Sequence, residues 1–120
     1  MELNIDKCSY DGKWYDFGNG RLKIRAYPAS RQSFAVKDGN VVFPGETGLE
    51  RFKYCLTAWE NYVTPAPENK AITLTDEVKK KVYDFRLGET EIDGKLMSIS
   101  DFVTLKSDEL FREMIVSEKN

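Results

Sequence analysis

The sequence predicts an α+β domain in which a small antiparallel β-sheet is followed by about three helices packed on one of its faces. Three observations carry that expectation. Short apolar and aromatic runs in residues 1–45 are cut at close intervals by turn pairs such as Asp11-Gly12 and Asp38-Gly39, as strands and hairpins require. From residue 46 onward the apolar positions recur at spacings of three and four, the period of helices. Strands precede helices with no regular βαβ alternation, which argues against Rossmann-like and P-loop architectures. The 120 residues suffice for one core, so residues 1–120 are expected to form a single domain, 1–45 mainly strands and 46–120 mainly helices.

In chain order, residues 5–10 and 13–17 read as strands on either side of a tight turn at Asp11-Gly12. Gly18-Asn19-Gly20 supplies the next turn. It is the only glycine pattern resembling a phosphate loop, and it lacks the third glycine and the helix such a loop needs. In residues 21–27, Leu22, Ile24 and Ala26 alternate with Arg21, Lys23 and Arg25, the period of a half-buried strand, and Pro28 ends the run. Ser30 can cap a short turn, Lys37-Asp38-Gly39-Asn40 is a turn, and residues 41–43 read as one more strand stopped by Pro44-Gly45.

Leu49, Phe52, Leu56, Trp59 and Val63 then form one apolar stripe along a helix of about 14 residues. Thr47 is its expected N-cap, with Glu50 completing a capping box. Residues 64–70, holding Pro65, Pro67 and Asn69, deny both helix and central strand and read as a loop. Thr75 caps a second helix whose first turn carries Asp76 and Glu77, suited to the positive end of the helix dipole. Val78, Val82 and Phe85 form its apolar stripe and Gly88 its stop. A polar stretch through Asp93-Gly94 leads to a last helix over residues 100–116, started by Ser98 or Ser100, with Phe102, Val103, Leu110, Met114 and Ile115 on one side.

Composition narrows the chemistry. The chain has no histidine, which removes the commonest general base and metal ligand and with them Ser-His-Asp, Cys-His and His-zinc arrangements. Cys8 and Cys55 are too few for a structural zinc site, and both are expected to be buried, reduced and unlinked. Apolar runs never exceed three residues and the start lacks the pattern of a signal peptide, so no membrane partner is expected and a cytoplasmic location is. A net charge of −2 lacks the basic excess of a strong nucleic-acid binder.

The most suggestive polar feature is the row Arg21, Lys23 and Arg25, with Arg31 nearby. On one strand face these side chains recur at about 7 Å, near the spacing of nucleic-acid phosphates, with Trp14, Tyr15 and Tyr27 as stacking surfaces. The simpler reading is a solvated face that protects the sheet. Lys79-Lys80-Lys81 point about 100° apart on a helix and make no single patch. Asp6, Asp11 and Asp16 lack the spacing of a calcium loop, and Glu89, Glu91 and Asp93 lack the apolar walls of a general acid/base site. Trp59 and Cys55 read as core residues. No catalytic set, cofactor site or metal site is expected.

One arrangement resembles a known family. Residues 52–63, with Leu56-Thr57-Ala58-Trp59, a polar proline-containing loop, Leu74-Thr75-Asp76-Glu77-Val78 opening a helix that ends at Asp84-Phe85, and a charged last helix finishing in Glu118-Lys119-Asn120 resemble the tail assembly chaperones and related small tail-module proteins of long-tailed bacteriophages and prophages. The resemblance covers residues 49–120. It implies a non-enzymatic protein of the bacterial cytoplasm that shields aggregation-prone tail tube or tape-measure subunits, so the implied partners are phage tail structural proteins. It assigns no contact residue. The alternative is a single-stranded nucleic-acid-binding module using the Arg21, Lys23, Arg25 and Arg31 face. A third and least favoured reading is an enzyme with carboxylate or lysine chemistry; with neither binding activity, what remains is a structural subunit acting within a symmetric homo-oligomer.

Overall fold

A computed structural model describes residues 1–31, 35–42 and 45–115, with the side chains of residues 35–37, 41–42 and 45–47 outside that description. The fold is α+β. A single 3₁₀ turn (Ile5–Lys7) precedes strands β1 (Lys13–Phe17) and β2 (Gly20–Ile24) and a second 3₁₀ turn (Ala29–Arg31). Strands β3 (Ala35–Lys37) and β4 (Asn40–Val42) follow, then helix α1 (Gly45–Cys55), strand β5 (Leu56–Glu60) and helix α2 (Asp76–Asp84). Strands β6 (Thr90–Ile92) and β7 (Lys95–Met97) and helix α3 (Ile99–Ile115) complete the order. The main sheet is antiparallel in the order β1-β2-β5, while β3-β4 and β6-β7 are separate hairpins.

Strand β2 is the centre of the sheet, and its alternation is as the sequence predicts: Leu22, Ile24 and, just beyond, Ala26 are buried, with Arg21, Lys23 and Arg25 on the other side. The β1–β2 turn is Gly18-Asn19, with Gly18 at φ 61°, the left-handed first position of a hairpin turn matched to strand twist. The strand expected over residues 5–10 does not form. Residues 1–11 are exposed, and β1 is left as a free edge. Asp11-Gly12 therefore closes no hairpin. Gly12 instead allows close packing, since a Cβ there would lie 2.9 Å from the carbonyl oxygen of Ile24. The other Asp-Gly pairs, Asp38-Gly39 (φ 52° and 80°) and Asp93-Gly94 (φ 50° and 79°), do turn hairpins with both residues left-handed, the type I′ pattern. The second of these replaces the polar connection expected through Asp93-Gly94. Its three-residue strands are too short to show an alternation. Of the strand expected over residues 41–43, Phe43 lies outside the described residues, as do residues 32–34, Pro44 and the end of the chain from Val116.

The stripe Leu49 to Val63 belongs to two elements rather than one helix. Helix α1 starts at Gly45, so Thr47 lies inside it and is not its N-cap. It ends at Cys55, and the chain passes directly into β5. Along β5, Leu56 faces Ile24, Ala58 faces Lys23 and Trp59 faces Leu22, which leaves Thr57 as the extra residue of a β-bulge. The bulge brings Leu56 and Trp59, three positions apart, to the same inner face and so imitates helical spacing. Trp59 is half-buried against the core, with its indole N–H donating to the Ile72 carbonyl at 2.8 Å. Val63 is 48% exposed, away from the core, and bridges to Ala71 across the loop expected at residues 64–70.

Helix α2 is capped as the sequence predicts, Thr75 Oγ1 accepting from the Val78 N–H at 3.2 Å. Its stop is different. The Leu87 N–H bonds to the Val82 carbonyl (3.1 Å) and the Arg86 N–H to that of Tyr83 (3.4 Å), a Schellman ending with Arg86 in the left-handed position at φ 49°. Phe85 is thereby turned out to 73% exposure and leaves the stripe. Gly88 (φ 78°) comes later, and its missing Cβ leaves room for Ile99, whose Cδ1 would otherwise be 2.6 Å away. Ser98 begins α3 through a reciprocal box: its hydroxyl accepts from the Asp101 N–H (3.2 Å) while the Asp101 carboxylate accepts from the Ser98 N–H (3.4 Å). The same carboxylate binds Arg86 bidentately at 3.2 and 2.6 Å, tying the end of α2 to the start of α3.

The core lies between the inner face of the sheet and the helices. Phe17, Leu22 and Ile24 meet Phe52, Leu56, Phe102 and Val103, with Phe17 and Phe102 ring centres 4.9 Å apart. Leu110 is buried as expected and Met114 partly so, whereas Ile115 is 61% exposed. Among the described residues no helix is long and apolar enough to cross a membrane.

Phe102→Ala is expected to cost about 3–5 kcal/mol in urea unfolding, and half-buried Trp59→Ala clearly less, because the bulge leaves the indole at the rim of the core. The Arg86 and Ser98 contacts hold the Asp101 carboxyl below its ordinary range. A carboxyl depressed in the folded state stabilises above its unfolded value and loses that contribution as pH falls through its folded one. Thermal melts are therefore expected to show wild type losing stability below about pH 4 and Asp101→Asn, less stable at pH 7, losing less over that interval.

Candidate binding surfaces

Strand β2 directs its polar side chains away from the core, but the four cations singled out in the sequence do not form one row. Arg21 faces Asp16 on β1 and Glu60 on β5, pairs with Glu60 at 3.3 Å, and lies over the Trp14 ring at 4.5 Å. Its charge and the best stacking surface are thus occupied by each other. Lys23 sits between Trp14 and Ala58. Arg25, beyond the strand, turns toward the end of α1, where its Nε donates to the Tyr54 carbonyl at 2.8 Å and its guanidinium lies 3.7 Å from the Tyr54 ring centre. Arg31, carried back by the second 3₁₀ turn, lies 4.3 Å from the same ring. The structure therefore brings Arg25 and Arg31 together and separates both from Arg21.

A residue that sequence reasoning dismissed joins them. Lys79 leaves the lysine run to donate to the Lys53 carbonyl at 2.8 Å, while Lys80 and Lys81 pair along α2 with Asp84 and Glu77. The three lysines do diverge, and it is the divergence that frees Lys79. Burial, reinforced by Arg25 and Lys53 and opposed by Asp76, pushes the Lys79 ammonium below the ordinary lysine value. Arg25, Arg31, Lys53 and Lys79 have no ion-pair partner among the described residues.

On another face of α1, Arg51 reaches α3, donating to the Ser107 hydroxyl at 2.9 Å and pairing with Asp108. Cys55 is fully buried beside this seam, and burial pushes its thiol up to about 11, so it stays protonated and unreactive at neutral pH. Cys8 is exposed, contrary to the expectation of two buried thiols, because the segment that carries it is not a strand of the core. Both cysteines are free. Among the described residues, no group of three Cys, Asp or Glu side chains is placed to hold a metal ion.

The second surface had no sequence signal. Residues 7–13 and the C-terminal part of α3 line an open cleft of about 680 Å³ with Leu110 and Met114 in its wall and Lys7, Asp11, Lys13, Arg112 and Glu113 around it. A hollow of about 180 Å³ adjoins it, lined by Tyr10, Ala26, Pro28, Phe111, Met114 and Ile115. The cleft exists because residues 5–10 are not paired with the sheet, and expecting a strand there conceals it.

Alkylation of the native protein is expected to modify Cys8 alone, with Cys55 reacting only after denaturation; mass spectrometry of the two adduct states checks this, and equal native rates would show the α1–α3 seam to be open. Neither a family model, a curated protein nor a solved structure matches this chain.

Proposed function

We propose that this chain is a non-catalytic binding protein that holds a segment of another polypeptide, acting in the bacterial cytoplasm as an assembly chaperone for phage tail tube or tape-measure subunits. The observation that carries the reading is the cleft between residues 7–13 and α3, together with the apolar side chains beside it that the fold leaves in water. Tyr10 is 76% and Ile115 61% exposed at the adjoining hollow. Apolar side chains kept out of a small core, around a groove with a polar rim, suit capture of an aggregation-prone segment. The resemblance of residues 49–120 to tail assembly chaperones supplies the class of client. The nucleic-acid reading has less support, since Arg21 pairs with Glu60 and lies over the Trp14 ring, and the basic residues do not form one row.

Co-expression with the tail tube and tape-measure proteins of the same genome is expected to raise their soluble yield. Tyr10→Ser with Ile115→Ser should abolish that gain while leaving the melting temperature close to wild type, because both side chains are exposed. An unchanged yield with wild type would remove the chaperone reading.

A further inference from the structure

We infer that Arg25, Arg31, Lys53 and Lys79, gathered around Tyr54 at the C-terminal end of α1, form a recognition site for the carboxylates of an acidic polypeptide segment. The inference rests on the reading of the partner as a polypeptide and names a second surface that would grip it. Part of the cluster has a structural task. Lys79 Nζ on the Lys53 carbonyl, Arg25 Nε on that of Tyr54 and the Arg25 backbone N–H on that of Cys55 satisfy the last three carbonyls of α1. A helix end carries only about half a negative charge, however, and four cations exceed it several-fold. The Arg31 and Lys53 side chains donate to none of these carbonyls, so the cap does not explain them. Asp76 is the acidic group that acts on Lys79, and among the described residues none pairs with any of the four.

The arrangement favours carboxylates over nucleic acid. A stacking platform needs a free aromatic face, and the Tyr54 ring already carries two guanidiniums, at 3.7 and 4.3 Å. Tyr27, the neighbouring ring, packs edge-on against Tyr54 with centres 5.7 Å apart. Stacking on a ring also holds each guanidinium in a fixed plane, which presents its remaining N–H groups as the fork a carboxylate accepts. The chain as a whole, cluster included, has a net charge of −2, which suits a short acidic segment better than an extended polyanion.

Fluorescence anisotropy of labelled hexaglutamate with the full chain tests the site, with an oligothymidylate of equal charge as comparison. Hexaglutamate is expected to bind wild type, more weakly as salt rises, and at least about tenfold more weakly to Arg31→Ala/Lys53→Ala. The double variant should melt as wild type does, since neither side chain caps α1, and Lys53→Arg, which keeps both ring-stacked guanidiniums, should retain binding. Lys95→Ala, on the distant β6–β7 hairpin, should change affinity by less than about twofold. No binding of hexaglutamate, equal weakening by Lys95→Ala, or tighter binding of the oligothymidylate would each overturn the proposal. The tail-protein yield assay fails independently: a lost yield with hexaglutamate binding intact removes the phage client alone, whereas a retained yield with no hexaglutamate binding removes the acidic site alone.

Discussion

The rest of the structure depends on how the C-terminus of α1 is closed. Its last carbonyls, on Lys53, Tyr54 and Cys55, receive their donors from outside the helix: Lys79 of α2, and the side chain and backbone of Arg25 just after β2. A helix normally ends through glycine or a following turn because its final carbonyls would otherwise be unpaired. Here the partners are supplied by elements far away in sequence, so the chain can pass from helix to strand between Cys55 and Leu56 with no breaker residue. That passage delivers β5 to β2 and completes the sheet. The bulge at Thr57 then aligns Leu56 and Trp59 with Ile24 and Leu22, and the core can close around them.

Two further polar links hold the helices on this sheet. Asp101 serves three partners at once, the Ser98 backbone at the start of α3 and the two terminal nitrogens of Arg86, so the conformation of Arg86 and the position of α3 are set together. The left-handed backbone at Arg86 costs a side-chain-bearing residue free energy that glycine would not incur, and the bidentate carboxylate contact offsets it. The Arg51 link to Ser107 and Asp108 secures the opposite seam, between α1 and α3, and covers the Cys55 thiol.

These contacts also explain how charge is distributed over the molecule. Arg21, Arg51 and Arg86 are each matched to a carboxylate, whereas the cations near Tyr54 are gathered by the demands of a helix end and exceed it. The apolar surplus is gathered elsewhere, where residues 7–13 and α3 line the open cleft. In the proposed reading, the apolar groove and the cationic cluster hold a polypeptide by complementary means, the first through buried area and the second through charge and register.

Local signals in the sequence were sufficient for the elements whose determinants are local. The alternation around Leu22 and Ile24, the Thr75 cap, the Ser98 start of α3 and the loop at residues 64–70 all stand where neighbouring residues place them, and the α+β class follows from their order. The helix stripe from Leu49 to Val63, the Asp11-Gly12 hairpin and the Gly88 stop did not, because each depends on a partner distant in the chain. Spacing by three is the same in a helix as across a bulge, and an Asp-Gly pair turns a hairpin only when strands exist on both sides of it. The candidate sites divide in the same way. Arg21, Lys23, Arg25 and Arg31 are visible as charges in the sequence, but only the tertiary structure decided that Arg21 would pair with Glu60, that Arg25 and Arg31 would share the Tyr54 ring and that Arg25 would face Lys79. Sequence by itself determined which residues are charged, capped or alternating; three-dimensional packing decided which charges lose their solvent and find a partner, since that depends on distances between elements the local chain does not encode.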